Sequence, residues 1–177
     1  MNIKGDKEKY ENDLKGHMIC DIGSCITEIF VFSLGDVLIS NSIRIAEDDF
    51  DHAIIKYVRN EFNLIIGGGT SERLKIEIYR DFPDKIIEKV KIKGTDSGSG
   101  LPKCLEIDSG RIREILKIPF HKIVDEIKSV LDRIPPEITS YIVERGIVLS
   151  GKRVILKELS NLISKETGAS VIIVEGI

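Results

Sequence analysis

No stretch of the sequence approaches the roughly 18 uninterrupted apolar residues that a membrane-spanning helix needs. Nor is there an excess of one charge: 26 Lys and Arg against 29 Asp and Glu leave a formal net charge of −3. The first lack argues against a membrane protein. The second argues against the broad electrostatic attraction by which basic domains hold nucleic acid. Cysteine is scarce too, and the three present (Cys20, Cys25, Cys104) have neither metal-ligand nor redox spacing, so reduced, mostly buried thiols of a cytosolic protein are expected. The histidines (His17, His52, His121) lie far apart without motif partners and read as structural or solvated. Cys25 has no base placed to activate it as a nucleophile. The opening "MNIKGDKEKYENDLKG" is too charged for a signal peptide.

What the chain does have is a foldable composition: 177 residues, 42% apolar and 31% charged, enough for one domain or two small lobes. Residues 1–16 show little apolar pattern and are expected to be a flexible leader. "HMICDIG", "TEIFVFSL" and "VLISNSIRI" read as three strands joined by short turns, an antiparallel meander. Asp48 or Asp49 is placed to cap a helix whose Phe50, Ala53, Ile54, Tyr57, Val58 and Phe62 follow helical spacing. After Gly67–Gly69, Ser71 is the expected cap of a helix through about Tyr79, and Pro83 marks a break. "EKVKIKGTDSGSGLPKCLEID" reads as a two-stranded ribbon, with Ser109 capping "GRIREILK". A separate helix carries Phe120, Ile123, Val124, Ile127, Val130, Leu131 and Ile134 on one face, ended by Pro135-Pro136. The tail reads as helix, strand "GIVLS", helix closed by Gly168, and strand "SVIIVEG", an α/β layout.

Two glycine-containing loops invite a phosphate-binding reading, because residues without Cβ let backbone N–H groups converge on an anion. "IIGGGTSE" falls between two helices, where glycine ends one and lets the next begin, so it is read as a connector. "CDIGSCITE" lies at the tip of a hairpin between two strands.

With "DFDHAIIKYVRNEFNLIIG", "GLPKCLEIDSGRIREIL", "ERGIVLSG" and "SKETGASVIIVE", the chain resembles the MreB family of bacterial actins from about residue 16 onward. The resemblance implies an actin-like (ribonuclease H-like) second domain: a mixed sheet with flanking helices in a large lobe, 17–45 and 119–177, plus an inserted small α+β lobe, 46–118. It implies a cytoplasmic cell-shape filament protein whose relatives bind ATP with magnesium. By this comparison the first phosphate loop, the region supplying the catalytic carboxylate and the membrane-inserting elements fall outside the sequence. A truncated or split chain that does not hydrolyse ATP alone is therefore the expectation.

Site residues follow from the resemblance alone. Asp21 corresponds to the family aspartate near the metal and its water shell. Of the three glycines of a phosphate loop Gly23 is retained, Ser24 and Cys25 replace the other two, and Ile26 replaces its threonine; the Cβ atoms of Ser24 and Cys25 are expected to crowd a phosphate and strain the backbone. Glu72 and Lys75, flanking Arg73, match a segment bordering the adenosine; equally, Glu72 is a first-turn acid and Lys75 its solvated partner. Gly151, Lys152 and Arg153 stand where the family has Gly-Gly-Gly-Ala, and the two cations read as solvated charges at a helix start. Bound ATP is thus expected to be weak or absent. The implied partners are further copies or full-length MreB-like subunits in a filament, or a separate first-domain chain. The alternative is a vestigial or regulatory adenine-nucleotide module of the actin, chaperone and sugar-kinase fold.

Overall fold

The computed structural model describes residues 16–81 and 87–175, and among these the side chains of Arg80, Asp81, Arg153 and Glu175 are not described. The expected leader (but for Gly16) and the break at Pro83 lie outside the described residues. The chain divides into two compact units, one running to Glu47 and resuming at Phe120, the other comprising Asp48–Pro119.

The first unit is built on a five-stranded sheet. Strands β1 (His17–Ile22), β2 (Thr27–Ser33) and β3 (Asp36–Ile43) form the antiparallel meander. Strands β7 (Ile147–Gly151) and β8 (Val171–Glu175) add in parallel, giving the order β3-β2-β1-β7-β8. The central pair, β1 and β7, is a nearly continuous apolar run. Met18, Cys20, Ile29, Val31, Ile147 and Leu149 pair across β1, β2 and β7 on one face and are fully buried, while Ile19, Phe32 and Val148 form a buried cluster on the other, as expected where both faces are covered. The β1–β7 register sets Asp21 beside Ser150 at the end of both strands. Helix α4 (Pro136–Arg145) opens on the paired prolines, Pro135 as its N-cap and Pro136 inside its first turn, where a missing N–H costs nothing. Helix α5 (Arg153–Thr167) ends at Gly168, which takes the left-handed conformation (φ 74°).

The second unit holds helix α1 (Glu47–Phe62) from its second residue on, the short strand β4 (Leu64–Ile65), helix α2 (Gly68–Ile76) with a π-helical turn over Glu77–Asp81, and strands β5 (Lys89–Asp96) and β6 (Pro102–Asp108). The three strands form an antiparallel sheet in the order β4-β5-β6. Phe50, Ile54, Val58, Leu74, Ile78, Ile92, Ile107 and Ile112 make its core. The hairpin turn is organised by Asp96, whose Oδ1 accepts from the N–H groups of Gly98 and Ser99 and whose Oδ2 pairs with Lys103 at 3.1 Å. These bonds, that from Ser99 foremost, hold its carboxyl well below the usual range.

Several boundaries differ from the sequence reading. Helix α1 begins at Glu47, ahead of the expected Asp48 or Asp49 cap. It is Asn63, at φ 51°, and not the glycine run that reverses the chain after α1; asparagine tolerates that conformation better than most residues. Gly67 is then the N-cap of α2, while Ser71 lies buried inside the helix and its hydroxyl donates to the Asp51 carbonyl. The two helices expected on either side of residue 119 are one, α3 (Ser109–Asp132), with Pro119 within it. An interior proline costs about 3 kcal/mol. Burial of Leu116, Phe120, Ile123 and Val124 on adjoining turns offsets that. At its start Asp108 Oδ1 accepts from the Gly110 N–H at 2.7 Å, while Ser109 is bonded back to Glu88, so Asp108 does the capping.

Candidate functional site

The expected site residues fall into the two units. In the first, the hairpin between β1 and β2 is closed by the Gly23 N–H donating to the Ile26 carbonyl at 3.0 Å. Ser24, Cys25 and Ile26 are exposed at the tip. Leu34 and Asn63 are the positive-φ non-glycine residues among those described, so Ser24 and Cys25 carry no left-handed strain and that part of the expectation is corrected. The next residue, Thr27, is fully buried and donates to the Ile45 carbonyl at 2.6 Å, which anchors the loop to the segment entering α1.

Asp21 is half-buried, and its Oδ1 accepts from the Ser150 hydroxyl at 2.8 Å. Gly151 follows directly, at φ 149°, and a Cβ there would lie 3.0 Å from the Ile22 carbonyl oxygen. The packing of β7 against β1 therefore requires this glycine without any ligand. Lys152 is not simply a solvated charge. Its Nζ lies 2.9 Å from Glu47 Oε2, and its backbone N–H donates to Glu47 Oε1 at 3.2 Å. Glu47 itself is 4% exposed, and its N–H donates to the Gly23 carbonyl at 3.3 Å. Glu47 thus ties the β1–β2 loop, through its backbone N–H, to the start of α5, through its buried carboxylate.

In the second unit Gly67, Gly68 and Gly69 open α2, and a Cβ built at any of them meets nothing within 4 Å. Glu72 is half-buried and Arg73 exposed. Because α2 starts at Gly68, Glu72 lies beyond the first turn, which contains no acid. Lys75 is buried, at 5% exposure, and its Nζ sits 2.9 Å from Asp51 Oδ2. The reading of Lys75 as a solvated partner of Glu72 is corrected: its carboxylate comes from α1.

Glu47, Asp51 and Ser150 are thus the residues that sequence reasoning missed. Ser150 had a signal, its place before Gly151 in a strand parallel to the one bearing Asp21. The other two had none, since acids at the start of a helix are ordinarily read as dipole partners.

The thiols divide differently from expectation. Cys20 is buried, whereas Cys25 and Cys104 are exposed, one at a hairpin tip and one on the edge strand β6. Burial first, then the neighbouring Asp21 charge, pushes the Cys20 thiol up to about 12. In the native protein iodoacetamide is therefore expected to modify Cys25 and Cys104 and spare Cys20 until denaturant is added, as peptide mass mapping would show. Native labelling of Cys20 at a comparable rate would contradict this burial.

The description "MreB/Mbl protein" fits residues 11–176, nearly the whole chain. The chain belongs to the MreB/Mbl family. Cell shape-determining protein Mbl of Bacillus subtilis is 38% identical over 160 residues, which are 90% of this chain and 48% of Mbl. Cell shape-determining protein MreB of Escherichia coli is 38% identical over 164 residues, 93% of this chain and 47% of that protein. The chain therefore spans about half the length of these relatives. Its fold is similar to that of MreB 5 of Spiroplasma citri, solved bound to AMPPNP, with a TM-score of 0.85 and 32% identity over 94% of this chain and 50% of that one. The fold is accordingly actin-like, a mixed sheet flanked by helices. Among the described residues no helix is long and apolar enough to cross a membrane.

Proposed function

We propose that the chain is an MreB-like cytoskeletal subunit of the bacterial cell-shape system that takes part in filaments and does not hydrolyse ATP by itself. The observation that carries this reading is the likeness to MreB 5 over 94% of the chain at 32% identity. The Mbl and MreB relatives bear cell-shape determination in their names. A filament contact through the second unit needs apolar surface. Ile65 and Ile87 supply some, at 45% and 69% exposure.

The residues present fit a magnesium-bearing adenine nucleotide poorly, and this supports a weakened half-site. The Gly23 N–H is used within its own hairpin. The two lysines that resemblance directs to the nucleotide are held in ion pairs by Asp51 and Glu47. Asp21 is the residue whose chemistry suits a metal's water shell, and one of its oxygens is bonded by Ser150. By resemblance, the residues directed to a nucleotide are Asp21, Gly23, Ser24, Cys25, Gly151, Lys152 and Arg153 in the first unit and, taken by themselves, Glu72, Arg73 and Lys75 in the second.

Co-sedimentation with a full-length MreB under polymerising conditions tests the proposal. The chain should pellet in proportion to the partner, and calorimetric titration of the chain alone with Mg·ATP should give no heat. A chain that stays in the supernatant while the partner pellets is not a filament subunit. Micromolar Mg·ATP binding by the chain alone would favour the regulatory nucleotide module instead.

A further inference from the structure

We infer that Glu47 and Lys152 form an internal clasp in which the chain's own carboxylate takes the place of an incoming phosphate at the start of α5. The inference deepens the proposed reading of a weakened nucleotide half-site and rests on it.

The start of a helix presents backbone N–H groups and a partial positive charge, and so attracts anions. Here that position is already filled. The N-cap residue of α5, Lys152, gives its backbone N–H to Glu47 Oε1 and sets its ammonium 2.9 Å from Glu47 Oε2, an ion pair in which the buried Oε2 accepts no hydrogen bond among the described residues. The acid is 4% exposed, which for an ionised carboxylate requires compensation on site. The lysine side chain covering it is 61% exposed, so its head is the part an arriving anion would have to draw away. Drawing it away would leave a buried carboxylate without this counter-charge, held among the described residues only by the Lys152 backbone N–H, a cost that a free ligand's own contacts must first offset. Because Glu47 is part of the chain, its ordering cost is met once, on folding, whereas a dissociable phosphate meets it at every binding event.

The clasp also closes the other side of the half-site. The Glu47 N–H donates to the Gly23 carbonyl, and the Thr27 hydroxyl to the Ile45 carbonyl two residues before Glu47. The hairpin loop, the entry to α1 and the start of α5 are therefore held by one short segment, Ile45–Glu47. Gly151, immediately before the clasp, is fixed by its packing on Ile22, so the loop has little freedom to move Lys152 aside. Glu47 and Lys152 together are thus the pair that determines which anions the half-site takes, and in the parent chain that set is empty.

The test uses the full chain as parent, as Glu47→Gln, and as Glu47→Gln combined with Lys152→Ala, each titrated calorimetrically with inorganic pyrophosphate and with Mg·ADP. Glutamine keeps the size of the side chain and removes its charge. Glu47→Gln should bind pyrophosphate at least about tenfold more tightly than the parent, and adding Lys152→Ala should abolish the gain. Binding of Mg·ADP as well would extend the clasp to the nucleotide itself. A folded Glu47→Gln chain that binds neither anion more tightly than the parent overturns the inference.

A second measurement does not depend on ligand. Across the cycle of parent, Glu47→Gln, Lys152→Ala and the double variant, melting temperatures should show coupling; strictly additive shifts would overturn the clasp. The co-sedimentation assay separates this from the parent reading. Glu47→Gln chains that pellet with full-length MreB yet gain no anion binding sink the clasp alone. Chains that gain anion binding but never pellet sink the filament reading alone.

Discussion

Replacing Asp51 with alanine should destabilise the chain by roughly 2–4 kcal/mol, far more than an ordinary surface change. The reason is the partner it abandons. Lys75 Nζ lies 2.9 Å from Asp51 Oδ2, and the lysine side chain is 6% exposed against 21% for the aspartate. Once the aspartate is gone, a buried ammonium has lost the carboxylate that faces it. The estimate sits toward the lower part of the usual range for broken buried pairs because Asp51 has some contact with solvent. Alanine's higher helix propensity returns about half a kcal/mol within α1.

The reciprocal change is expected to cost less. Lys75→Met removes the sealed charge, fills its space with a flexible apolar side chain, and leaves a carboxylate whose Oδ1 is buried but whose side chain, at 21% against 6%, is the more exposed of the pair. Its loss should be under about half that of Asp51→Ala. Urea titrations of both variants decide the matter. Equal losses, or a larger loss for Lys75→Met, would mean that the pair's geometry is not what holds α1 to α2. The asymmetry also bears on function, since a lysine so placed serves the fold whether or not a nucleotide is present.

Much of the fold was legible in the sequence because it is written in local periodicity. The three-strand meander, the hairpin around Asp96, the buried stripe from Phe120 to Leu131 and the closing Gly168 all depend on neighbours within a few residues. The misreadings occur where tertiary burial overrides a local rule. Pro119 would ordinarily end a helix, but the apolar stripe runs through it. Asn63 performs the reversal that the adjacent glycines advertise more loudly. The exposure of Cys25 and Cys104 depends on a hairpin tip and a sheet edge, which composition does not record.

The site was less legible than the fold. Asp21 at a strand end and Gly151 before a helix are visible as motif remnants. Their partners are not. Glu47 and Lys152 meet across a separation of 105 residues, and Lys75 meets Asp51 across 24. No spacing rule relates such pairs; only the register of β1 with β7 and the packing of α1 bring them together. A lysine in a loop resembling a nucleotide site therefore reads the same in sequence whether it faces a ligand or an internal carboxylate.

The glycines allow a direct separation of fold from ligand. Gly151→Ala should destabilise the chain by about 2–4 kcal/mol with no nucleotide present. At φ 149° an L-residue is strained, and the added Cβ would meet Ile22 O at 3.0 Å, Ile22 Cβ at 3.2 Å and Leu156 Cδ2 at 3.3 Å. Backbone oxygen in a central strand cannot step aside cheaply, so the cost should appear in full. Gly68→Ala should do the opposite. That position lies in the first turn of α2 with nothing within 4 Å of the new Cβ, and alanine in place of glycine gains about 0.5–1 kcal/mol. Thermal melts of the two variants without ligand make the comparison. If Gly151→Ala melts with the parent, the glycine is not demanded by packing, and its retention points back to a bound group. If Gly68→Ala is the damaging one, the triple glycine is more than the opening of a helix. The expected pattern assigns the conspicuous run Gly67–Gly69 to local backbone economy and the inconspicuous Gly151 to the core of the fold.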